Sequence, residues 1–253
     1  MRTLEIFAGT QSFSKGITVS GGETVTVDIL DKFKPDIVAD IMSWDYKSAY
    51  PVGHFDIIWA SPPCTEYSKA KTRGERDLDG ADALVRKSIE IIRYFQPKRW
   101  IIENVGTGLL VKRMATICPE IADKAYIADY CAYGKPYRKR TIFWSNVKLQ
   151  LKLCGGKGVC ASMTGSVHKG SCGNGTEKYN KEGINSVWDK DSIPEPLITS
   201  IIRQMSKPIK TSCSMCKTPG YGIYDGIILC HKHKLSSGYC DDCSKKECEC
   251  DEV

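Results

Sequence analysis

Four short apolar runs, each closed by turn-forming residues, set the pattern of the first 105 positions: TLEIFAG (3–9), TVTVDI (24–29), FDIIWAS (55–61) and RWIIENV (99–105). Their length and their Ile and Val content predict strands buried on both faces, as in a parallel sheet. Between the third and fourth runs, residues 79–97 place Ala81, Leu84, Val85, Ile89, Ile92 and Phe95 at helical spacing, and Pro97 ends the segment. A further strand is predicted at Thr141–Trp144, and IVADI (37–41) carries a short one. Strands alternating with helices predict an α/β fold: a doubly wound, mostly parallel, Rossmann-like sheet.

After Asn146 the texture changes. Residues 147–190 hold seven Lys against three acids and few apolar residues, which predicts a basic loop or small irregular insertion. SIPEPLITSIIRQM (192–205) returns to helical spacing, with Leu197, Ile198, Ile201, Ile202 and Met205 on one side. The expected organisation is one domain over 1–209 and a cysteine-rich tail over 210–253.

Composition sharpens this picture at two points. The chain of 253 residues has a formal net charge of +6, and the tail's six Lys against seven acids leave the positive excess on the larger part. That excess is compatible with nucleic acid, and equally with an ordinary enzyme. No stretch is apolar for long enough to suggest a signal peptide or membrane span, so an intracellular protein with no membrane partner is expected. Thirteen cysteines, several in C-x-x-C pairs, then favour metal ligands over disulfides.

The candidate chemistry lies where strands end. A turn containing Gly9 follows the first strand, although the segment through Gly16 is no G-x-G-x-x-G. Asp28 ends the second strand, where an acid can hold a ribose, and Asp40 follows the short third one. Each acid alone reads equally as a cap or turn residue; together with the turn they point to an adenosyl ligand. Pro62 and Pro63 stiffen the loop that presents Cys64, a placement suited to a nucleophile, although an inert buried cysteine would fit the loop alone. Glu103 and Asn104 stand at the end of a buried strand, where partial desolvation would raise a carboxyl's pKa and let it give up a proton. Arg138 and Arg140 are two apart at the start of a strand, which would turn them to one face. A thiolate can add to carbon 6 of a pyrimidine while an acid steadies the neighbouring nitrogen, leaving carbon 5 able to take a methyl group from a sulfonium donor.

These segments, in this order, resemble the cytosine-5 DNA methyltransferase family. LEIFAGTQSFSKG resembles its first cofactor motif, SPPCTEYS its Pro-Cys loop, ENV its Glu-Asn-Val motif, YGKPYRKRTIF its arginine motif and SIPEPLITSII, faintly, its last motif. The resemblance implies S-adenosylmethionine as methyl donor, with Phe7, Gly9, Asp28, Asp40 and Pro62 around it. It implies Cys64 as nucleophile, Glu103 as the residue activating the base, Arg138 and Arg140 as organisers of the site, and DNA as partner, its target base flipped out. The chain departs from the pattern at Thr65 and at Tyr137, where the family commonly has glutamine. About 45 residues replace the usual target-recognition domain, which implies specificity that is short, relaxed or supplied elsewhere. Such compact members are expected in phage and virus genomes. The same chemistry directed at RNA or a free pyrimidine nucleotide, and a catalytically silent DNA- or protein-binding scaffold, stand as the alternatives.

The tail reads Cys213-x2-Cys216, Cys230-x2-His233, Cys240-x2-Cys243, then Cys248 and Cys250. Eight ligands in paired spacing suit two tetrahedral zinc sites, sequential or cross-braced, with His231 able to replace His233. Its near-neutral charge favours a protein partner over DNA. A looser set, Cys154, Cys160, His168 and Cys172, offers a third site in the basic segment.

Overall fold

The predicted strands join a single seven-stranded sheet. Its members are β1 (Arg2–Ile6), β2 (Glu23–Asp28), β3 (Ile37–Val38), β4 (Ile57–Ala60), β5 (Arg99–Val105), β6 (Ala125–Asp129) and β7 (Arg140–Ser145), in the order β3-β2-β1-β4-β5-β7-β6. All are parallel except β7, which runs antiparallel to both β5 and β6. This computed structural model describes residues 1–170 and 192–207, with the strand backbones β10 (Gly222–Tyr224) and β11 (Ile227–Leu229).

Strand periodicity sends alternate side chains to two separate cores. On one face Leu4, Ile6, Ile58, Ala60 and Ile102 pack against α3 (Leu78–Phe95), α4 (Leu110–Ile117) and α5 (Pro119–Ala122). On the other, Ile57, Trp59, Ile101 and Phe143 pack against α1 (Ser12–Val19) and α6 (Glu195–Met205). Helices on both faces make the sheet doubly wound. α2 (Tyr46–Ala49) is a single turn before β4. In α3 the helical spacing is realised, and Asp77 caps it by accepting from the Gly80 N–H at 2.8 Å. α6 buries Leu197, Ile198, Ile201, Ile202 and Met205, roughly 1.5–3 kcal/mol each.

Two expectations change, for the first strand and the basic segment, and the packing at Gly16 and the direction of β7 add detail. The first strand stops at Ile6, because Phe7 already turns into the left-handed region at φ 57°. Gly16 belongs to α1, where a Cβ would come within 2.5 Å of Ile198 Cγ2; it is a packing glycine that lets α1 and α6 approach. β7 is the antiparallel exception to the parallel pattern. The basic segment is not wholly irregular: β8 (Met163–Thr164) and β9 (Val167–His168) form a small antiparallel hairpin.

Candidate active site

Because β7 alone is reversed, its first residue meets the same sheet edge as the C-terminal ends of the other six strands. Phe7 and Gly9 follow β1, Asp28 ends β2, Asp40 follows β3, Cys64 follows β4, Glu103 lies near the end of β5 and Arg140 opens β7. β2 and β3 lie on one side of β1, and β4 and β5 on the other. The crevice beside β1 is therefore a topological switch point, where open α/β sheets take ligands.

On the β1–β2 side the backbone is unusual. Phe7, Gly9 and Gln11 all have positive φ, 57°, 47° and 56°, a clustering of left-handed residues typical of functional turns. The Gly9 N–H donates to Asp28 Oδ2 at 2.9 Å, while Asp28 Oδ1 accepts from the Leu30 N–H at 2.8 Å, so one carboxylate ties both loops. A Cβ on Gly9 would meet only the Phe7 carbonyl, at 3.9 Å, which leaves the turn open. Asp40 is exposed and accepts from the Met42 N–H at 2.9 Å. Glu5 has no sequence signal of its role. It is buried beneath this turn and accepts from the Ser14 N–H at 2.8 Å at the start of α1. Burial pushes its carboxyl up to about 7, against the hydrogen bonds from Ser14 and Phe13 and the charge of Lys15.

On the β4–β5 side the loop carrying Cys64 is built to hold its shape. Pro62 is buried, and its carbonyl accepts from Asn104 Nδ2 at 2.9 Å. The Cys64 carbonyl accepts from the Tyr67 and Ser68 N–H groups at 3.1 and 2.8 Å. Tyr67 is buried and donates its hydroxyl to Asp82 at 2.9 Å, and Asp82 is in turn held by Arg113 through Nε at 3.0 Å and Nη2 at 2.6 Å. Cys64 itself is half-buried.

Glu103 and Asn104 point to opposite faces of β5. Asn104 fastens the Pro62 loop. Glu103 lies on the face of Tyr130, within a buried aromatic group that includes Tyr137. The Tyr130 phenol is raised well above its usual value, first by burial, then by Glu103, Tyr137 and Cys64. Its hydroxyl therefore lies within electrostatic reach of both Glu103 and Cys64. Tyr130 Oη and Thr141 Oγ1 are buried close together, yet neither completes a hydrogen bond of good geometry.

Arg138 precedes β7 and Arg140 begins it, and both reach one carboxylate, that of Asp129 at the end of β6. Arg140 donates through Nε at 2.9 Å and Nη2 at 2.8 Å, and Arg138 Nε lies 3.3 Å away. Burial alone would raise the Asp129 carboxyl, but the hydrogen bonds from Arg140, the Cys154 N–H and Arg138 outweigh it and bring it to about 2. Asp129 has no strong sequence signal; KAYIAD is a weak strand that the apolar pattern does not mark.

Of the looser metal set, Cys154, Cys160 and His168 do come together, but their companion among the described residues is Cys131, just after β6. Their ligand atoms all lie within 4.8 Å of one another. Cys172 lies outside the described residues, as do Cys213, Cys216, Cys230, His233, Cys240, Cys243, Cys248 and Cys250. No helix among the described residues is long and apolar enough to cross a membrane.

Residues 1–133 match the family model described as C-5 cytosine-specific DNA methylase. The chain is 38% identical over 178 residues to the "Probable DNA (cytosine-5)-methyltransferase" of Frog virus 3 (isolate Goorha), covering 64% of this chain and 79% of that protein. It is 26% identical over 168 residues to the type II methyltransferase M.AgeI of Thalassovita gelatinovora, covering 56% of this chain but only 38% of that protein. Against the solved structure of the Entamoeba histolytica methyltransferase EhMeth the TM-score is 0.40 at 18% identity, over 60% of this chain and 56% of that one.

Proposed function

Because the chain belongs to the C-5 cytosine-specific DNA methylase family, we propose that it transfers a methyl group from S-adenosylmethionine to carbon 5 of cytosine in DNA through a covalent bond to Cys64. The observation that carries this reading is that Cys64 and Glu103 stand at the same sheet edge, after and near the ends of the directly paired strands β4 and β5.

In this reading Phe7, Gly9, Asp28, Asp40 and Pro62 hold the donor. The fit rests on the open turn at Gly9 and on two acids at adjacent strand ends, suited to a ribose diol and an adenine edge. S-adenosylmethionine, when bound, supplies a methyl group made electrophilic by a sulfonium. Cys64 Sγ, as thiolate, bonds to carbon 6 of the cytosine, and the electron pair of the ring double bond moves onto carbon 5 and toward N3. Glu103 holds a proton at N3 while this charge develops. Carbon 5 takes the methyl group as the donor's sulfur–methyl bond breaks and a neutral thioether is left. The carbon-5 proton then leaves to water, the double bond re-forms, the proton at N3 returns to Glu103, and the bond between Cys64 Sγ and carbon 6 breaks, returning the thiolate. Arg138 and Arg140, aligned by Asp129, border the site from β7 and suit phosphate or base-edge contacts.

Residues 1–209 are taken as the methyltransferase unit and 210–253 as a zinc-binding module, the latter on spacing alone and open to a protein partner. Within 147–170 four Lys face no acid, and Lys152, Lys157 and Lys169 are exposed. That suits a short DNA-contacting segment in place of a recognition domain. The test is duplex DNA carrying 5-fluorocytosine, which cannot release a proton from carbon 5. With donor present, a covalent adduct is expected at Cys64, and none with Cys64→Ala. Adducts with single-stranded RNA alone would redirect the substrate, and methyl transfer undiminished in Cys64→Ala would end the mechanism.

A further inference from the structure

We propose that Cys131, Cys154, Cys160 and His168 bind one zinc ion, and that this centre fastens residues 154–170 to the arginine-bearing edge of the active site. Its ligands are not those of the paired tail spacing, and the fourth is Cys131, in the turn that directly follows β6.

The geometry is that of a tetrahedral centre with the ligands drawn together. His168 Nε2 lies 3.4 Å from Cys154 Sγ and 3.7 Å from Cys160 Sγ. Zn–S bonds of about 2.3 Å and Zn–N bonds of about 2.0–2.1 Å at tetrahedral angles place sulfur and nitrogen roughly 3.5 Å apart. One imidazole nitrogen can accept at most one thiol proton well, so two thiols on a single nitrogen are poorly served by hydrogen bonding and well served by a shared cation. Three thiolates and an imidazole are soft ligands that select zinc over magnesium or calcium, and four protein ligands close the site, the mark of a structural centre.

The backbone around the ligands is shaped for this. Between Cys154 and Cys160, Gly156 and Gly158 have φ of 78° and 81°, and the Gly156 N–H points at Cys154 Sγ from 3.4 Å. Such N–H groups orient and stabilise a metal-bound sulfur. The Cys160 carbonyl accepts from the Met163 N–H at 3.0 Å, and the β8–β9 hairpin then turns at Gly165 and brings His168 back opposite Met163. Cys131 sits two residues beyond Asp129, in the turn that follows β6.

Apolar burial cannot hold this segment. Within 154–170 only Ser162 is buried, Val159 and Val167 are exposed, and each hairpin strand has two residues. A metal supplies the missing folding energy. It would also act on the catalytic edge, because the Cys154 N–H donates to Asp129 Oδ2 at 3.0 Å, the same oxygen that Arg140 Nη2 and Arg138 Nε approach. Gly170 N–H to the Pro136 carbonyl, at 2.9 Å, closes the segment against the loop that leads to those arginines.

The test uses the full chain, purified with a reductant. Zinc per chain should fall by about one in His168→Asn and in Cys160→Ser, with far-ultraviolet circular dichroism unchanged, whatever the tail contributes. On chelation, amide hydrogen exchange should speed at least tenfold in peptides covering 154–170 while α3 keeps its protection, a readout the tail cannot supply. Unchanged zinc content in both variants, exchange in 154–170 indifferent to chelation, or a disulfide among Cys131, Cys154 and Cys160 in the reduced preparation would overturn the proposal.

Discussion

Asn104 Nδ2 donates to the Pro62 carbonyl across 2.9 Å, and this bond joins the strand that carries Glu103 to the loop that carries Cys64. Asn104 is almost wholly buried, and its own Oδ1 accepts from the Val105 N–H at 2.9 Å. The amide thus faces the loop in one orientation. Asn104→Ala leaves a buried carbonyl without its donor, at a cost of about 1–3 kcal/mol. The expected outcome is a lower melting temperature and a fall of roughly 100-fold in the rate of adduct formation on 5-fluorocytosine DNA. Stability lost with the adduct rate intact would mean the bond serves only the fold.

Asp129 gathers Arg138 and Arg140 onto one fully buried carboxylate. Removing one partner of a buried ion pair costs about 3–5 kcal/mol, and the lower end applies because both arginines reach solvent. Asp129→Ala is therefore expected to lower the urea midpoint and to weaken DNA binding, as the two guanidinium groups lose their common alignment. Asp129→Asn, which keeps the size but not the charge, should recover part of the stability and little of the binding. Equal DNA affinity in wild type and both variants, measured at one salt concentration, would separate the arginines from the substrate.

The strands β1, β2, β4 and β5 were legible because each carries a short apolar or β-branched run closed by turn residues, and α3 and α6 because their apolar spacing is helical. The same local signals reached Cys64, Glu103, Arg138 and Arg140, which stand at the ends of those runs. Their partners were not legible. Asp129 ends a weak Ala-containing strand and Cys131 follows it, and the role of Asp129 depends on β7 reversing so that Arg140 pairs with it. Glu5 sits inside a strand, where one acid among apolar residues says nothing of the helix end it will cap. Cys172 suggested itself as a ligand by proximity along the chain, whereas Cys131 meets Cys154 only through the sheet.

Glu5 gives the fold a pH dependence with a definite sign. Its carboxyl, ordinarily near 4.5, is raised to about 7 in the folded chain by burial. The folded protein therefore binds the proton more tightly than the unfolded one. This contribution is complete below about pH 4.5, declines as pH rises toward 7 and levels off above it, a span of roughly 3 kcal/mol. Urea midpoints of wild type and Glu5→Gln, measured from pH 5 to 8, should diverge, with wild type losing ground as pH rises. Parallel curves would show that the N–H groups of α1 keep Glu5 ionised in the folded state.

The Tyr130 hydroxyl is buried, within electrostatic reach of Glu103 and Cys64, and lacks a well-formed hydrogen bond among the described residues. An unsatisfied buried hydroxyl costs about 1–3 kcal/mol. A phenylalanine there would keep the ring packed with the neighbouring aromatic core and remove that cost. Tyr130→Phe should accordingly melt at the same temperature as wild type or slightly higher. If the hydroxyl finds its partner in the bound cytosine or in the proton held by Glu103, the variant loses at least tenfold in kcat while KM for DNA stays nearly constant. The split decides the role: a lower melting temperature with unchanged kcat would mean that an ordered water already satisfies the hydroxyl, and that its position near the nucleophile is incidental to the chemistry.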